Sequence, residues 1–168
     1  MRSDDLRNVL RVAGFGAVLS CAAGLPSAGV AAEPAGDEVV ARWTFDSAAD
    51  ADAWNAAHDC EKLGVREGAL NIRLTGTDAF VFAPPVRARL DGCVVRVRMR
   101  SDRDGISEVY FVTDKKPDYS QEQVVHRETP ASRDFRVYEF VLGQTADADR
   151  TLTGFRIDPY NNNRDGLV

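Results

Sequence analysis

The clearest pattern in the chain is Val94-Val-Arg-Val-Arg-Met-Arg100, in which apolar Val95, Val97 and Met99 alternate with Arg96, Arg98 and Arg100. Successive side chains of a strand point to opposite faces, so this segment predicts a strand with one face in a core and the other in water. The same period of two puts Val109 and Phe111 inward with Tyr110 outward, and Phe155 and Ile157 inward with Arg156 and Asp158 outward. Alternation of this kind predicts strands over 39–45, 64–74 (with a turn at Glu67-Gly68), 79–82, 94–100, 107–113, 123–126, 135–142 and 152–158. Turn formers separate them: Thr75-Gly-Thr-Asp78, Pro84-Pro85, Asp91-Gly92, Asp102-Arg-Asp-Gly105, Lys116-Pro-Asp118 and the Asn/Gly-rich stretch from Asn161 to Gly166. Only 48–57, rich in alanine and preceded by Asp46 and Ser47 as caps, predicts a turn or two of helix. Many short strands at this spacing predict an all-β antiparallel sandwich of the jelly-roll type.

The first 32 residues follow a different rule. Arg2, Arg7 and Arg11 precede a Gly- and Ala-rich apolar stretch too short for a membrane span, and Val30 and Ala32 are small residues at a cleavable position. This predicts a signal peptide over 1–32, a short linker over 33–38, one domain over 39–168, and a secreted or periplasmic chain. Val18-Leu-Ser-Cys21 carries the alternative of a lipobox with lipid on Cys21, although leucine before the serine is a poor match.

Charge narrows the partners. The chain holds 21 basic and 26 acidic side chains, a net charge of −5, and loss of the leader removes more arginines than aspartates. An acidic domain lacks the excess cations that nucleic acid or anionic lipid requires. Cleavage would leave Cys60 and Cys93, which an oxidising compartment would allow to pair if their Cα atoms approach; two separate buried thiols are the other expectation. Two cysteines and two distant histidines give no zinc-ligand spacing.

Trp43-Thr-Phe-Asp46, Ala53-Trp54, Glu67-Gly-Ala-Leu70, Pro84-Pro85, Val97-Arg-Met-Arg-Ser101, Val109-Tyr-Phe-Val-Thr113 and Phe155-Arg-Ile-Asp-Pro159 occur in an order that resembles the galactose-binding-like jelly-roll modules. These modules accompany bacterial sulfatases, glycoside hydrolases and polysaccharide lyases. The resemblance covers nearly all of 39–160 and implies noncatalytic carbohydrate binding, often with a structural Ca²⁺, beside an attached or partner catalytic domain. Two departures stand out. Modules of this kind close with a strand of the form apolar-Glu-Ile-Asp-Trp-Ile, whereas this sequence reaches Gly166-Leu-Val168 where that strand would begin, so a sandwich lacking its final strand is expected. Phe111 stands where the family often has tryptophan.

Candidate ligand residues follow from chemistry. Arg96, Arg98 and Arg100, with Arg87 and Arg89 upstream, would form a cationic strip suited to an anionic polysaccharide, unless acidic neighbours on adjacent strands engage them. Tyr110, Tyr119 and Tyr160 are the aromatics outside the obvious core that could lie under a sugar ring, whereas Trp43 and Trp54 read as core. Asp46 and Asp158, at strand ends, are the candidate Ca²⁺ ligands. Asn161–Asp165 imitates the start of an EF-type loop, with a plain turn as the alternative. His126, Tyr119 and Arg127 are the residue types of a jelly-roll polysaccharide lyase, but no recognisable lyase, hydrolase, zincin or phosphate-loop motif surrounds them. The expectation is therefore a binding module and not an enzyme, with a structural or protein-interaction sandwich as the alternative.

Overall fold

A computed structural model describes residues 9–13, 18–21, 38–143 and 150–161. Its strands are β1 (Val9–Ala13), β2 (Val18–Cys21), β3 (Glu38–Arg42), β4 (Asn55–His58), β5 (Cys60–Val65), β6 (Ala69–Leu74), β7 (Ala79–Phe82) and β8 (Ala88–Arg89). They continue with β9 (Val94–Arg100), β10 (Gly105–Thr113), β11 (Val124–Thr129), β12 (Arg136–Val141) and β13 (Thr151–Asn161). One five-residue helix, α1 (Ala48–Asp52), is entered through Ser47, whose backbone N–H donates to Asp50 Oδ2 at 2.9 Å.

The strands form two antiparallel sheets, so the chain is an all-β sandwich. In sheet A, β12 pairs with one edge of β9; the other edge of β9 meets β1 along one half and β2 along the other. From there β1 leads to β6 and β5, and β2 leads to β3. Sheet B runs β11-β10-β13-β7-β4, with β8 beside the start of β13.

The alternation of β9 is realised as expected: Val95, Val97 and Met99 are fully buried between the sheets. They meet Leu70 and Ile72 of β6 and Val109, Phe111, Phe155 and Ile157 of sheet B in one core. Trp54 is buried and Trp43 packs at the core margin; their rings meet edge-on at 5.4 Å, and both lie against Phe155. Burying an aromatic of this size contributes roughly 2–3 kcal/mol, so this cluster is a large share of what holds the layers together.

Several expectations change. The helix expected over 48–57 stops after five residues, and Asn55–His58 becomes an edge strand of sheet B, because pairing with Phe80 and Phe82 outweighs alanine's helix preference. The turn expected at Glu67-Gly68 is there, with both residues at positive φ, but the strand before it, β5, starts earlier than expected, at Cys60. Part of the segment expected to be a leader lies in sheet A as β1 and β2. The bulk of the expected linker, and 162–168 with the EF-like stretch beyond Asn161, lie outside the described residues.

The Cys60–Cys93 bridge does not form. Cys60 remains a thiol, donating to the carbonyl of Phe80 at 3.3 Å, while Cys93 is disulfide-bonded elsewhere. Cys60 opens β5 and Cys93 directly precedes β9, with β6 and β1 between these strands. Three interstrand spacings of about 4.8 Å far exceed the Cα separation of about 7 Å that a disulfide tolerates.

Candidate functional site

The outer face of sheet B carries the densest chemistry in the described molecule. It is built by the residues that alternate with the core: Glu108 and Tyr110 of β10, Arg156 and Asp158 of β13, Phe80 and Phe82 of β7, and His126 of β11. Registers bring them side by side, with Glu108 opposite both His126 and Asp158, and Arg156 opposite both Tyr110 and Phe82.

Arg156 is the centre. Its guanidinium lies 4.0 Å from the Phe80 ring centroid and 4.2 Å from that of Tyr110, with Tyr119 at 5.6 Å. Flat, weakly hydrated guanidinium suits this stacking better than an ammonium would. Its Nη2 donates to Asp158 Oδ2 at 2.9 Å. Glu108 accepts on both oxygens, from His126 Nδ1 at 2.7 Å and from Asn161 Nδ2 at 3.2 Å. Glu108 and Asp158 side chains are only 7 % and 6 % exposed. Burial pushes the Asp158 carboxyl up to about 7, with Glu108 adding to the rise and Arg156 opposing it. Burial likewise raises the Tyr110 and Tyr119 phenols.

A loop over 114–123 covers this face and delivers Tyr119, whose ring meets Phe82 at 5.4 Å. The loop is tied at both ends. Asp114 N–H donates to Thr151 O, and Thr151 N–H returns to Asp114 Oδ1. Phe111 N–H donates to Gln123 O, and buried Gln123 Nε2 donates back to Phe111 O at 2.6 Å. Gln121 reaches from the loop to donate to the Tyr110 hydroxyl at 2.6 Å.

Strand β13 contains a proline in its interior, which should interrupt a central strand. The ladder absorbs it with one extra residue. Ile106 and Glu108 of β10 face Asn161 and Asp158, and Ala79 and Val81 of β7 face Tyr160 and Ile157, so three steps of β13 oppose two on either side. The freed carbonyl of Pro159 accepts from Ser107 Oγ at 2.8 Å, and Ser107 in turn accepts from Thr129 Oγ1 at 2.7 Å. The bulge reverses the alternation beyond it.

The expected ligand residues therefore divide. Tyr110 and Tyr119 lie on the outer face of sheet B. Tyr160 does not join them: beyond the bulge it packs against the core, with Arg103 over its ring at 5.7 Å. Arg96, Arg98 and Arg100 lie on the outer face of sheet A, across the sandwich, and they are engaged there. Arg96 Nε pairs with Glu139 at 2.7 Å, Arg98 and Arg100 stack on Phe135, and Arg100 also meets Glu67 at 3.5 Å. Of the lyase-type residues, His126 and Tyr119 lie on this face. Arg127 turns to the opposite side and donates to the carbonyl of Glu139, so the set is not assembled.

Asp46 and Asp158 are not joined into a Ca²⁺ site. Asp46 is exposed ahead of α1, Asp158 is buried against Arg156, and the described residues hold no group of three or more His, Cys, Asp or Glu placed for a metal. Glu108, Arg156, Phe80 and Phe82 were missed as site residues. Arg156 and Asp158 were already legible as outward-facing; the registers that bring Glu108 and the two phenylalanines beside them were not. Among the described residues, no helix is long and apolar enough to cross a membrane.

Fold and site together define an antiparallel β-sandwich with an aromatic and charged outer face. No family model, curated protein or solved structure matches the chain.

Proposed function

We propose that this chain is a noncatalytic carbohydrate-binding module of the galactose-binding-like jelly-roll kind, exported and acting by holding a polysaccharide on the outer face of sheet B. The observation that carries this reading is the Phe80–Arg156–Tyr110 stack roofed by Tyr119 and flanked by Glu108 and Asp158. Sugar rings present an apolar face and a rim of hydroxyls, and they need an aromatic ledge beside fixed donors and acceptors. Phe82 and Tyr119 supply the ledge, while His126, Glu108 and Gln121 supply hydrogen-bonding groups already held in place.

The buried carboxylates favour a neutral glycan over an anionic one. The arginines that would have welcomed sulfate or uronate are on the far side and bound to partners of their own chain. Affinity electrophoresis against neutral and sulfated polysaccharides tests this. The expected result is retardation by a neutral glycan, weakened at least about tenfold in Tyr119→Ala, the loss of one stacking contact of about 1.5 kcal/mol. Arg98→Ala is expected to bind like the parent. Absence of retardation by every polysaccharide at millimolar sensitivity overturns the proposal.

A further inference from the structure

The Arg156–Asp158 pair is joined at one corner only. Arg156 Nη2 donates to Asp158 Oδ2 at 2.9 Å, while Arg156 Nε and Asp158 Oδ1 are buried and have no hydrogen-bond partner among the described residues. The Asp158 side chain is more than nine-tenths buried. Polar atoms buried in a fold are nearly always paired, and leaving a donor and an acceptor without partners costs stability. Two such atoms side by side on a face with aromatic walls therefore mark a place that a ligand group fits.

Phe80 and Tyr110 flank the guanidinium, and Tyr119 roofs it. The Tyr119 ring rests on Phe82, and its hydroxyl stands over Gly154, 3.6 Å from where a Cβ would be. Among the described residues that hydroxyl makes no hydrogen bond. The polar ties of the loop run instead through Asp114, Lys116, Gln121 and Gln123. Tyr119 is thus seated by packing, and it can swing off the pair without breaking a hydrogen bond.

We propose that Arg156 and Asp158 are the hydroxyl-reading pair of this face: Tyr119 swings aside to admit a neutral sugar, Arg156 Nε donates to one ring hydroxyl, and Asp158 Oδ1 accepts from its neighbour. The unpaired atoms select the ligand class. A sulfate or carboxylate suits Nε but opposes Oδ1 and Glu108, and an ammonium suits Oδ1 but opposes the guanidinium. A hydroxyl both donates and accepts, so a sugar with two adjacent free hydroxyls satisfies both atoms. This inference rests on the glycan-binding reading of sheet B and assigns the atoms that reading leaves open.

A hydroxyl donating to Asp158 favours the ionised carboxylate, so sugar and proton compete for this side chain. Burial holds the carboxyl at about 7, where that competition can be measured. The charged and titratable groups around it are Glu108 and Tyr110 of β10, Arg156 beside it on β13, Tyr119 of the loop, and Asp78 ahead of β7. Two histidines stand one step further out, His126 of β11 on Glu108 and His58 of β4 at 3.9 Å from Asp78. Histidine is the other residue type of this set that changes charge between pH 5 and 8, so the test must separate it from Asp158.

The full chain is titrated by calorimetry with soluble galactan, mannan and β-glucan at pH 5 and pH 8, and at pH 7 in two buffers of different ionisation heat. Expected is a neutral glycan bound at least about tenfold tighter at pH 8 than at pH 5, with proton release on binding at pH 7. Asp158→Asn has no proton to lose and is expected to bind alike at both pH values, as weakly as the parent at pH 5. Proton release is read on the parent alone, so the outcome does not depend on how the variant folds. Tyr119→Ala, although weaker, is expected to associate faster than the parent, since no ring has to leave; association no faster than the parent's overturns the cover. Glycan binding without proton release, or a pH dependence that survives in Asp158→Asn, overturns the pair and leaves glycan binding standing. Silence of all three glycans at millimolar sugar overturns the glycan reading, and the pair with it.

Discussion

Asp158 shows how one buried residue ties the site to stability. Its carboxyl titrates near pH 7 in the fold against an ordinary value of 3.8, chiefly because burial penalises the charged form. The folded chain therefore binds this proton more tightly than the unfolded chain. Between about pH 4 and pH 7 the folded state holds the extra proton, so this group's contribution to stability is present in acid and is lost as pH rises through 7. The size is roughly 2–4 kcal/mol. Asp158→Asn keeps the shape and removes the titration. Calorimetry is expected to find the Asn variant close to the parent at about pH 4 and more stable than it at pH 8; a pH dependence that survives the substitution contradicts the assignment. Residue chemistry of this kind was half legible in the sequence. Alternation alone turned Arg156 and Asp158 outward, but the pairing of Asp158 with Glu108 depends on a register between strands some fifty residues apart.

At the scale of the element, strand β13 separates what period two can tell from what it cannot. From Phe155 to Asp158 the alternation holds, and Phe155 and Ile157 are core as expected. Past Pro159 the extra residue reverses it, and Tyr160, expected at a binding face, goes to the core side. The same bulge holds Asp158 and Glu108 abreast, in keeping with the tendency of bulges to lie beside functional positions. Ser107 is the compensating partner, since its hydroxyl satisfies the Pro159 carbonyl. Ser107→Ala leaves that buried acceptor unpaired, while the Thr129 hydroxyl keeps the Arg127 carbonyl, and is expected to cost about 1–3 kcal/mol in urea unfolding. A change within a few tenths of a kcal/mol means that the bulge is held by its ladder alone. The arginine strip of β9 was legible as a face and misleading as a site, because its partners Glu139, Phe135 and Glu67 come from elsewhere in the chain.

For the whole molecule, nearly every contact that matters joins distant parts of the chain. Sheet A pairs residues near 10 with residues near 70 and 100, and sheet B pairs residues near 80 and 110 with residues near 156. Folds assembled from such non-local pairings close long loops before they gain contacts, and they fold in milliseconds to seconds. Stopped-flow refolding followed by the fluorescence of Trp43 and Trp54, which lie against Phe155 across the core, is expected in that range; a microsecond phase carrying the full signal would mean that this cluster forms locally. The two-layer fold and the core faces of β6, β9, β10 and the middle of β13 were foreseeable from hydrophobic spacing. The pairing of residues 9–13 and 18–21 into sheet A was not, since charge and composition at the N-terminus spoke for a leader and carried no information about strand pairing.

The loop over 114–123 has a consequence for how such a chain could diversify. Both of its ends are pinned by backbone bonds and by the amide of Gln123, while the residues between them make their own contacts mainly with the face below. The tip thus behaves as an exchangeable plate bolted to a fixed frame. Rewriting Pro117 to Gln121 would alter what the face grips while leaving the layers beneath undisturbed.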